Sequence, residues 1–305
     1  MKLSHFRDVL AVAEFGSLRA AGRHLNIAQP AITRSIRELE REMGVSLFER
    51  HAKGVKLTQT GEIFLRRLRF FDAELRRARE EIAQLNGGDT GEVSVALSTA
   101  SCLAIMPVAT AAFRRRYPDG VLKVSESLFQ PIESDLENGT VDFWIGPLDR
   151  STAPPQFQVE PLFDNHRRVL ARKGHPLAGA RSLADLREAR WVRPTLSLRN
   201  TEGDFAIEFE KRGLPAPTIV VHARSALVTV LTVANSDLLT ILPQQWLESP
   251  LTADVIVALE LEEPMVSAPI CIVRRHGLPL TPMAEHLCDQ MRKAALNYAL
   301  ARAAT

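Results

Sequence analysis

Residues 17–47 read SLRAAGRHLNIAQPAITRSIRELEREMGVSL, and this stretch decides the fold of the N-terminal part of the chain. Apolar residues recur every three or four positions on both sides of a break at residues 26–28. Pro30 follows the break, and a proline is tolerated in the first turn of a helix because its missing N–H is not needed there. Gly44 is the residue type that commonly ends a helix. The pattern predicts two short helices joined by a tight turn, the second over residues 30–43.

The polar face of the second helix carries side chains that can reach phosphates and base edges, namely Gln29, Thr33, Arg34 and Arg37. Its acidic residues, Glu38, Glu40 and Glu42, lie in the C-terminal half. Small residues at positions 20–22 allow the first helix to cross the second closely. An amphipathic hairpin with a solvated basic face is the alternative. The arrangement favours a helix-turn-helix motif with the second helix in the recognition position.

The segments on either side of this motif predict the other parts of a winged helix-turn-helix domain. Residues 3–15 predict a helix whose apolar face completes a three-helix core. Residues 48–58, FERHAKGVKLT, indicate two short strands around a turn at residues 52–54, which is typical of a wing. The basic side chains near its tip are Arg50, His51 and Lys53. An exposed hairpin tip can be basic without binding anything, but beside this motif we expect contact with the minor groove or the DNA backbone.

The same residues resemble the N-terminal signature of LysR-type transcriptional regulators. The resemblance is carried by Ser17, Ala20-Ala21, Leu25, Gln29-Pro30-Ala31, Ile36, Leu39-Glu40, Gly44, Leu47-Phe48 and Arg50. Ala28 departs from it, because the family usually has Ser or Thr there, and we expect Asn26 to cap the second helix instead. Pattern and resemblance together predict DNA contacts at Ser17, Arg19, Gln29, Pro30, Thr33, Arg34, Arg37, Arg50, His51 and Lys53.

Length and charge agree with a modular DNA-binding protein. The 305 residues are enough for two or three domains, and 46% hydrophobic and 24% charged residues are ordinary for a globular protein. Residues 1–60 contain ten basic and six acidic residues, a net charge of +4, whereas the remaining residues sum to −2. The positive excess therefore coincides with the helix-turn-helix segment, as a phosphate-binding module requires.

The cysteine pattern and the hydropathy argue against a disulfide-rich protein, a metalloprotein and a membrane protein. Cys102, Cys271 and Cys288 are odd in number and spaced without a metal or disulfide pattern. We therefore expect reduced cysteines, no metal and no cofactor. No apolar run approaches the ~18 residues of a membrane span, and no signal peptide is evident. We expect a cytoplasmic protein without a membrane partner.

A different pattern covers residues 60–86. Apolar residues spaced alternately four and three apart form a seam flanked by charged side chains. The seam consists of Phe64, Leu68, Phe71, Leu75, Ala78, Ile82 and Leu85. The predicted helix is roughly 40 Å long and cannot be buried against the winged domain alone. We expect it to pair with the same helix of a second chain, because two recognition helices must meet two half-sites. The alternative is a helix that lies on its own C-terminal domain.

Strands and helices alternate after the flexible residues 86–89. Strands are predicted at 93–98, 121–126, 141–146, 159–163, 168–172, 191–192, 218–222, 239–242, 255–259 and 269–274, with helices at 103–117, 132–137, 183–187, 204–212, 226–234 and 282–301. This alternation predicts parallel α/β sheets, and the number of units predicts two lobes. The resemblance implies an effector domain similar to a periplasmic binding protein. Lobe one would cover 91–161 plus 268–305, and lobe two 162–267.

The predicted fold class is therefore α/β and multidomain. A winged helix-turn-helix covers residues 1–58, a dimerisation helix 59–87 and an effector-binding domain 88–305. Ligands of open α/β sheets bind beyond the carboxyl ends of strands, against helix N-termini. The candidate residues at those positions, where the resemblance implies effector contacts in three of the loops, are Ser98, Thr99, Ser101, Phe129, Gln130, Thr195, Ser197 and Arg224. The alternative is that the hydroxyls only cap helices and Arg224 is a surface charge. A small organic anion, aromatic or not, is the expected effector.

These features predict a sequence-specific transcriptional regulator controlled by a small-molecule effector between two lobes. Its expected partners are double-stranded promoter DNA, the effector and further copies of itself. The resemblance implies a tetramer built as a dimer of dimers and a contact with RNA polymerase. An architectural DNA-binding protein is one alternative, but it has no use for residues 88–305. An enzyme is another, but G-x-S-x-G, G-x-G-x-x-G, H-E-x-x-H and C-x-x-C motifs are all missing from the sequence.

Overall fold

The computed structural model describes residues 1–51, 54–194 and 206–303, without the side chains of Arg50 and Ala206. The chain forms two compact units. The first comprises Met1–Glu80 with Glu137–Thr140, and the second Glu81–Leu136 with Val141–Thr305. None of the helices in the described ranges is long and apolar enough to cross a membrane.

The first unit is a winged helix-turn-helix, which confirms the predicted fold. Its elements are α1 (Leu3–Phe15), α2 (Leu18–Leu25), α3 (Gln29–Met43), β1 (Phe48–His51), β2 (Gly54–Leu57) and the start of α4 (Gln59–Leu85). The two strands pair antiparallel. The core is made of apolar side chains from all three short helices, including Val9, Val12, Ala21, Ile32, Ile36 and Leu39. Helix α3 begins one residue before the predicted start.

The turn between α2 and α3 depends on Asn26. Its φ of 54° is left-handed, a conformation that Asn tolerates better than most side chains. Its backbone N–H donates to the end of α2, so Asn26 terminates that helix. Helix α3 has Ala28 as its N-cap and no side-chain cap hydrogen bond. The expectation that Asn26 caps the second helix is therefore wrong.

The first half of the apolar seam of α4 packs on its own domain. Leu68 is 3% exposed and belongs to the helix-turn-helix core, against which Phe64 also packs. The ring of Phe6 contacts those of Phe64 and Phe71 edge-to-face, at centroid distances of 6.2 and 5.8 Å. A side chain buried within its own chain is not available to a partner. The placement of Leu68 at a dimer seam is therefore corrected.

The second unit is built on a seven-stranded sheet. The nine strands of this unit, two of which lie outside that sheet, are β3 (Glu92–Leu97), β4 (Val121–Glu126), β5 (Phe143–Pro147), β6 (Phe157–Arg172), β7 (Arg190–Pro194), β8 (Thr218–Ala223), β9 (Thr240–Pro243), β10 (Ile256–Ala258) and β11 (Met265–Arg275). The sheet order is β10-β6-β11-β5-β3-β4, and β9 also pairs with β6. Strands β7 and β8 form a separate parallel pair. The helices are α5 (Thr99–Ala104), α6 (Met106–Arg116), α7 (Phe129–Glu137), α8 (Ala206–Glu210), α9 (Ala226–Ala234), α10 (Gln245–Glu248) and α11 (Pro282–Ala303).

The large sheet is mixed, whereas the sequence predicted parallel sheets. Strands β3, β4 and β5 are parallel, but β11 runs antiparallel to both β5 and β6. Strands β9 and β10 are also antiparallel to β6. Strand β6 is continuous over 16 residues, although the sequence pattern predicts two separate strands there. A strand covered on both faces is apolar whatever its direction, so its composition does not reveal how it pairs.

The apolar core of the second unit is divided into several clusters, and the two largest lie on different groups of strands and helices. The core of lobe one lies around β3, β5, α6 and α11 and includes Phe113, Ile145, Ile272, Leu287 and Met291. The core of lobe two includes Trp191, Phe209, Leu239 and Met265. Strands β6 and β11 contribute residues to both cores, because they are long enough to pass from one to the other.

Candidate DNA-binding surface and effector site

Helix α3 presents a polar groove on its exposed face. The groove has a volume of about 700 Å³ and is lined by Gln29, Pro30, Thr33, Arg34, Arg37, Glu38 and Arg41. Arg34 and Arg37 are exposed. Within the described ranges neither of them forms an ion pair with another residue. Both guanidinium groups are therefore available to bind phosphates or the edges of bases.

Two of the predicted DNA contacts also make hydrogen bonds within the chain. Ser17 is the N-cap of α2, and its Oγ accepts from the N–H of Ala20 at 3.4 Å. The hydroxyl of Thr33 donates to the carbonyl of Gln29 at 3.0 Å. Ser17 is half-buried, whereas Arg19 is exposed. Capping α2 therefore accounts for Ser17 without any DNA, and its contact with DNA stays a prediction.

The wing and the far end of α3 supply further basic groups. His51 is exposed at the end of β1. Lys53 and the side chain of Arg50 lie outside the described residues, so their DNA contacts stay predictions. Sequence reasoning missed Arg41, which lines the α3 groove one turn beyond Arg37. The helical period could have found it, because positions 34, 37 and 41 lie on one face of a helix.

The second half of the α4 seam is exposed. Ile82 is 62% and Leu85 73% exposed, and Phe71 is 45% exposed despite its contact with α1. Phe71 and Leu75 also line a groove of about 490 Å³ between α1 and α4, together with Leu10. Apolar side chains repeated along one exposed helix face are typical of an interaction surface.

The hydroxyl groups after β3 are satisfied within lobe one. Ser98 is the N-cap of α5, and its Oγ accepts from the N–H of Ser101 at 3.3 Å. The two serine hydroxyls are 2.9 Å apart, and Ser101 is fully buried. The hydroxyl of Thr99 donates to the carboxylate of Glu126. Ser101 is therefore a structural residue, which corrects its assignment to the ligand site.

Phe129 is also a core residue. It is 7% exposed, and its ring lies 5.4 Å from that of Trp144 and 5.5 Å from that of Phe157. The indole N–H of Trp144 donates to the carbonyl of Ser127 at 2.9 Å, which fixes the cluster. Contacts with two other rings make Phe129 part of a core cluster of the α/β unit. Packing accounts for Phe129 without a ligand, and its contact with the effector stays a prediction.

The other effector candidates are distributed over both lobes. Gln130 is exposed beside Phe129, and Arg224 is exposed directly after β8. Thr195 and Ser197 lie outside the described residues. Sequence reasoning missed Glu126, although it ends the predicted strand over 121–126 next to the loop that carries Thr99. Its carboxylate places a negative charge at a position predicted to attract an anion.

The three cysteines are shielded thiols. Burial raises the pKa of Cys102 to about 11, with a contribution from the Glu126 carboxylate, and that of Cys288 to about 12. Burial likewise raises the pKa of Cys271 to about 11. The described ranges contain no cluster of three or more His, Cys, Asp or Glu residues that could hold a metal ion.

Thiol labelling should show this protection directly. Because the thiolate is the reacting species, the folded protein at pH 8 should react with an aromatic disulfide reagent about 100-fold more slowly than the same chain in urea. Each thiol that reacts releases one equivalent of chromophore. If the folded protein released one equivalent as fast as the unfolded chain, at least one of the three thiols would not be buried.

Comparisons with known proteins agree with this geometry. Residues 3–62 match the model for the bacterial regulatory helix-turn-helix protein, lysR family, and residues 86–296 match the LysR substrate binding domain. The transcriptional regulator GbpR of Azospirillum brasilense is 28% identical over 245 residues, which cover 79% of this chain and 71% of GbpR. PcaQ of Agrobacterium fabrum is 27% identical over 299 residues, covering 97% of this chain and 95% of PcaQ.

Solved structures share the fold at low identity. The crystal structure of CbnR, a LysR family transcriptional regulator, superimposes with a TM-score of 0.68 at 22% identity and covers 97% of this chain and 99% of that one. Full-length CbnR complexed with its target DNA gives the same TM-score at 21% identity, covering 96% and 100%. The two family models together span most of the chain, from the helix-turn-helix to α11. The chain therefore belongs to the LysR family of DNA-binding transcriptional regulators, in which a helix-turn-helix domain is joined to an effector-binding domain.

Proposed function

We propose that this regulator recognises promoter DNA through the exposed face of α3, with Arg34 reading a base edge and Arg37 holding a phosphate. The observation that carries this proposal is the basic groove along α3. Its arginines have no acidic partner among the described residues, and the N-terminus of a helix adds partial positive charge. Gln29, Pro30, Thr33, Arg19 and the wing residues Arg50, His51 and Lys53 would supply further contacts.

Replacing Arg34 by Ala tests this proposal. We expect specific binding to weaken by about 1–3 kcal/mol, because a bidentate contact with a base is lost. Fluorescence anisotropy on the DNA upstream of the regulator's own gene, with a scrambled duplex and a salt series, measures the effect. Arg115→Ala is the matched control, since Arg115 is an exposed arginine of α6 outside the DNA-binding domain.

The melting temperature of the Arg34 variant should equal that of the wild type, because the side chain is exposed. Equal binding of the variant and the wild type to the specific duplex would refute base reading by Arg34. Weak wild-type binding that is equal on both duplexes and steeply salt-dependent would show phosphate contacts alone.

The proposed assembly is a dimer joined through the exposed half of the α4 seam, with two dimers forming a tetramer. Two recognition helices are needed for two half-sites, and Ile82 and Leu85 offer an unpartnered apolar surface on a single chain. The corresponding domains are residues 1–58, 59–87 and 88–305. The protein would act in the cytoplasm, where promoter DNA and RNA polymerase are found, and RNA polymerase would be its partner at the promoter.

The proposed effector is a small molecule bound at the ends of the strands of both lobes. Gln130 and Arg224 are the exposed candidates, with Thr195 and Ser197 as further predicted contacts. Glu126 already accepts the hydroxyl of Thr99 and would repel an anion there. An anionic effector therefore depends on Arg224 for its attraction. Binding of the effector would shift the balance between arrangements of the regulator that differ in their affinity for DNA.

A further inference from the structure

The wing is too small to hold its own position. Each of its two strands, β1 and β2, has four residues. An isolated two-stranded hairpin is marginally stable in water. A wing that contacts DNA must nevertheless be held at a fixed distance from the recognition helix, since a contact that has to be ordered on binding loses affinity. The support must come from outside the hairpin.

The first support comes from α3 itself. The carboxylate of Glu40 accepts two backbone hydrogen bonds, from the N–H of Leu47 at 2.7 Å and from that of Phe48 at 3.1 Å. Hydrogen bonds to a charged acceptor are stronger than those between neutral groups. Glu40 is half-buried on the recognition helix, and Phe48 is the first residue of β1. The start of the wing is thus attached to the helix that reads the DNA.

The second support comes from the turn between α1 and α2. The N–H of Val55 in β2 donates to the carbonyl of Gly16 at 3.1 Å. Gly54, one residue earlier, has a φ of 145°, which side-chain-bearing residues rarely adopt. A Cβ added at Gly54 would overlap the carbonyl oxygen of Gly16. Only glycine therefore allows β2 to lie this close to the turn.

We propose that Glu40 and Gly54 are positioning residues for DNA binding, which clamp the wing at both strands, one on α3 and the other on the turn between α1 and α2, without touching DNA themselves. The inference rests on the proposed contact between the wing and DNA. The two attachment points lie on different strands and lead to different helices. Losing either one leaves the hairpin attached along one strand only, free to turn about it.

Two pairs of variants test the clamp. Gly54→Ala introduces the overlap with Gly16, and its matched control is Gly44→Ala. Gly44 also has a left-handed φ, of 70°, but a Cβ there meets no atom within 4 Å. Glu40→Ala removes the acceptor of two N–H groups. Glu40→Gln retains an oxygen that can accept both hydrogen bonds and should restore most of the binding.

The readout is the affinity for the specific duplex as a function of salt. Gly54→Ala and Glu40→Ala should each bind about 10-fold more weakly. The slope of log affinity against log salt concentration should become shallower by about 1 to 2, which corresponds to the loss of one to two phosphate contacts. A variant that is merely partly unfolded loses active protein but keeps the slope. Gly44→Ala and Glu40→Gln should keep the wild-type slope.

Amide hydrogen exchange gives a second readout that needs no DNA. The amides of Leu47, Phe48 and Val55 should exchange faster in the two disruptive variants, while those within α3 stay protected. Wild-type slope and wild-type exchange in both disruptive variants would overturn the clamp. If Gly54→Ala does not fold, the difference between Glu40→Ala and Glu40→Gln decides. Failure of the wild type to bind selectively would refute the proposed function instead, and the exchange rates would still test the clamp.

Discussion

Replacing Ile82 by Glu should convert the regulator into a monomer and lower its affinity for operator DNA by about two orders of magnitude or more. Ile82 is 62% exposed in a single chain, so the substitution costs the folded monomer little. Within the proposed helix–helix seam, the same carboxylate would be buried without a partner, which is strongly unfavourable. The loss of DNA affinity follows because two linked recognition helices bind far more tightly than one.

Sedimentation equilibrium at micromolar concentration measures the first effect, and anisotropy on the specific duplex measures the second. Ile63→Glu is the matched control. Ile63 is 52% exposed on the same helix but lies outside the seam, so this variant should keep the wild-type mass. A wild-type mass for Ile82→Glu would show that the seam is not the interface. Monomers from both variants would indicate that α4 has been disturbed as a whole.

The second large effect is expected at the aromatic cluster of lobe one. Trp144→Ala should lower the free energy of unfolding of the α/β unit by about 3–5 kcal/mol, the usual cost of removing a large buried ring. Trp144 is fully buried, and its loss would also leave the carbonyl of Ser127 without its 2.9 Å hydrogen bond. Urea unfolding followed by circular dichroism measures the change.

Trp144→Phe separates the two contributions. It keeps a ring against Phe129 and removes the hydrogen bond to Ser127, so we expect a loss of about 1–2 kcal/mol. An Ala variant within 1 kcal/mol of the wild type would contradict the role of the cluster as a core.

Sequence patterns predicted the helices and strands well wherever neighbouring residues determine where the element begins and ends. The strand over 121–126 and the helix over 226–234 agree with β4 and α9 to the residue. The helix-turn-helix was equally accessible, because its apolar spacing, its turn and its closing Gly44 all lie within about thirty residues. The basic groove on α3 follows directly from the period of that helix.

The errors concern partners that lie far apart in the sequence. Periodicity marks Leu68 as apolar but does not say whether it packs on its own domain or on a second chain. The contacts of Phe129 with Trp144 and Phe157 also join residues that no single short segment contains. The hydrogen bond between Thr99 in α5 and Glu126 in β4 joins residues that are 27 positions apart. Long-range packing decides each of these, and no short pattern encodes it.

The position of β11 within the sheet has a consequence for the newly made chain. Strand β11 lies between β6 and β5, yet it is the last strand to be synthesised, and α11, which completes the core of lobe one, follows it. At roughly 5–20 residues per second, the ribosome needs about 10 to 35 s to progress from the end of β3 to the end of β11. From its own synthesis until that of β11, β5 lacks one neighbour, and throughout the interval the apolar side chains of lobe one lack α11. The core of lobe two waits for β11 only through Met265, since Trp191, Phe209 and Leu239 all precede that strand. The half of the unit that comes later in the sequence can therefore gather most of its core earlier in the cell.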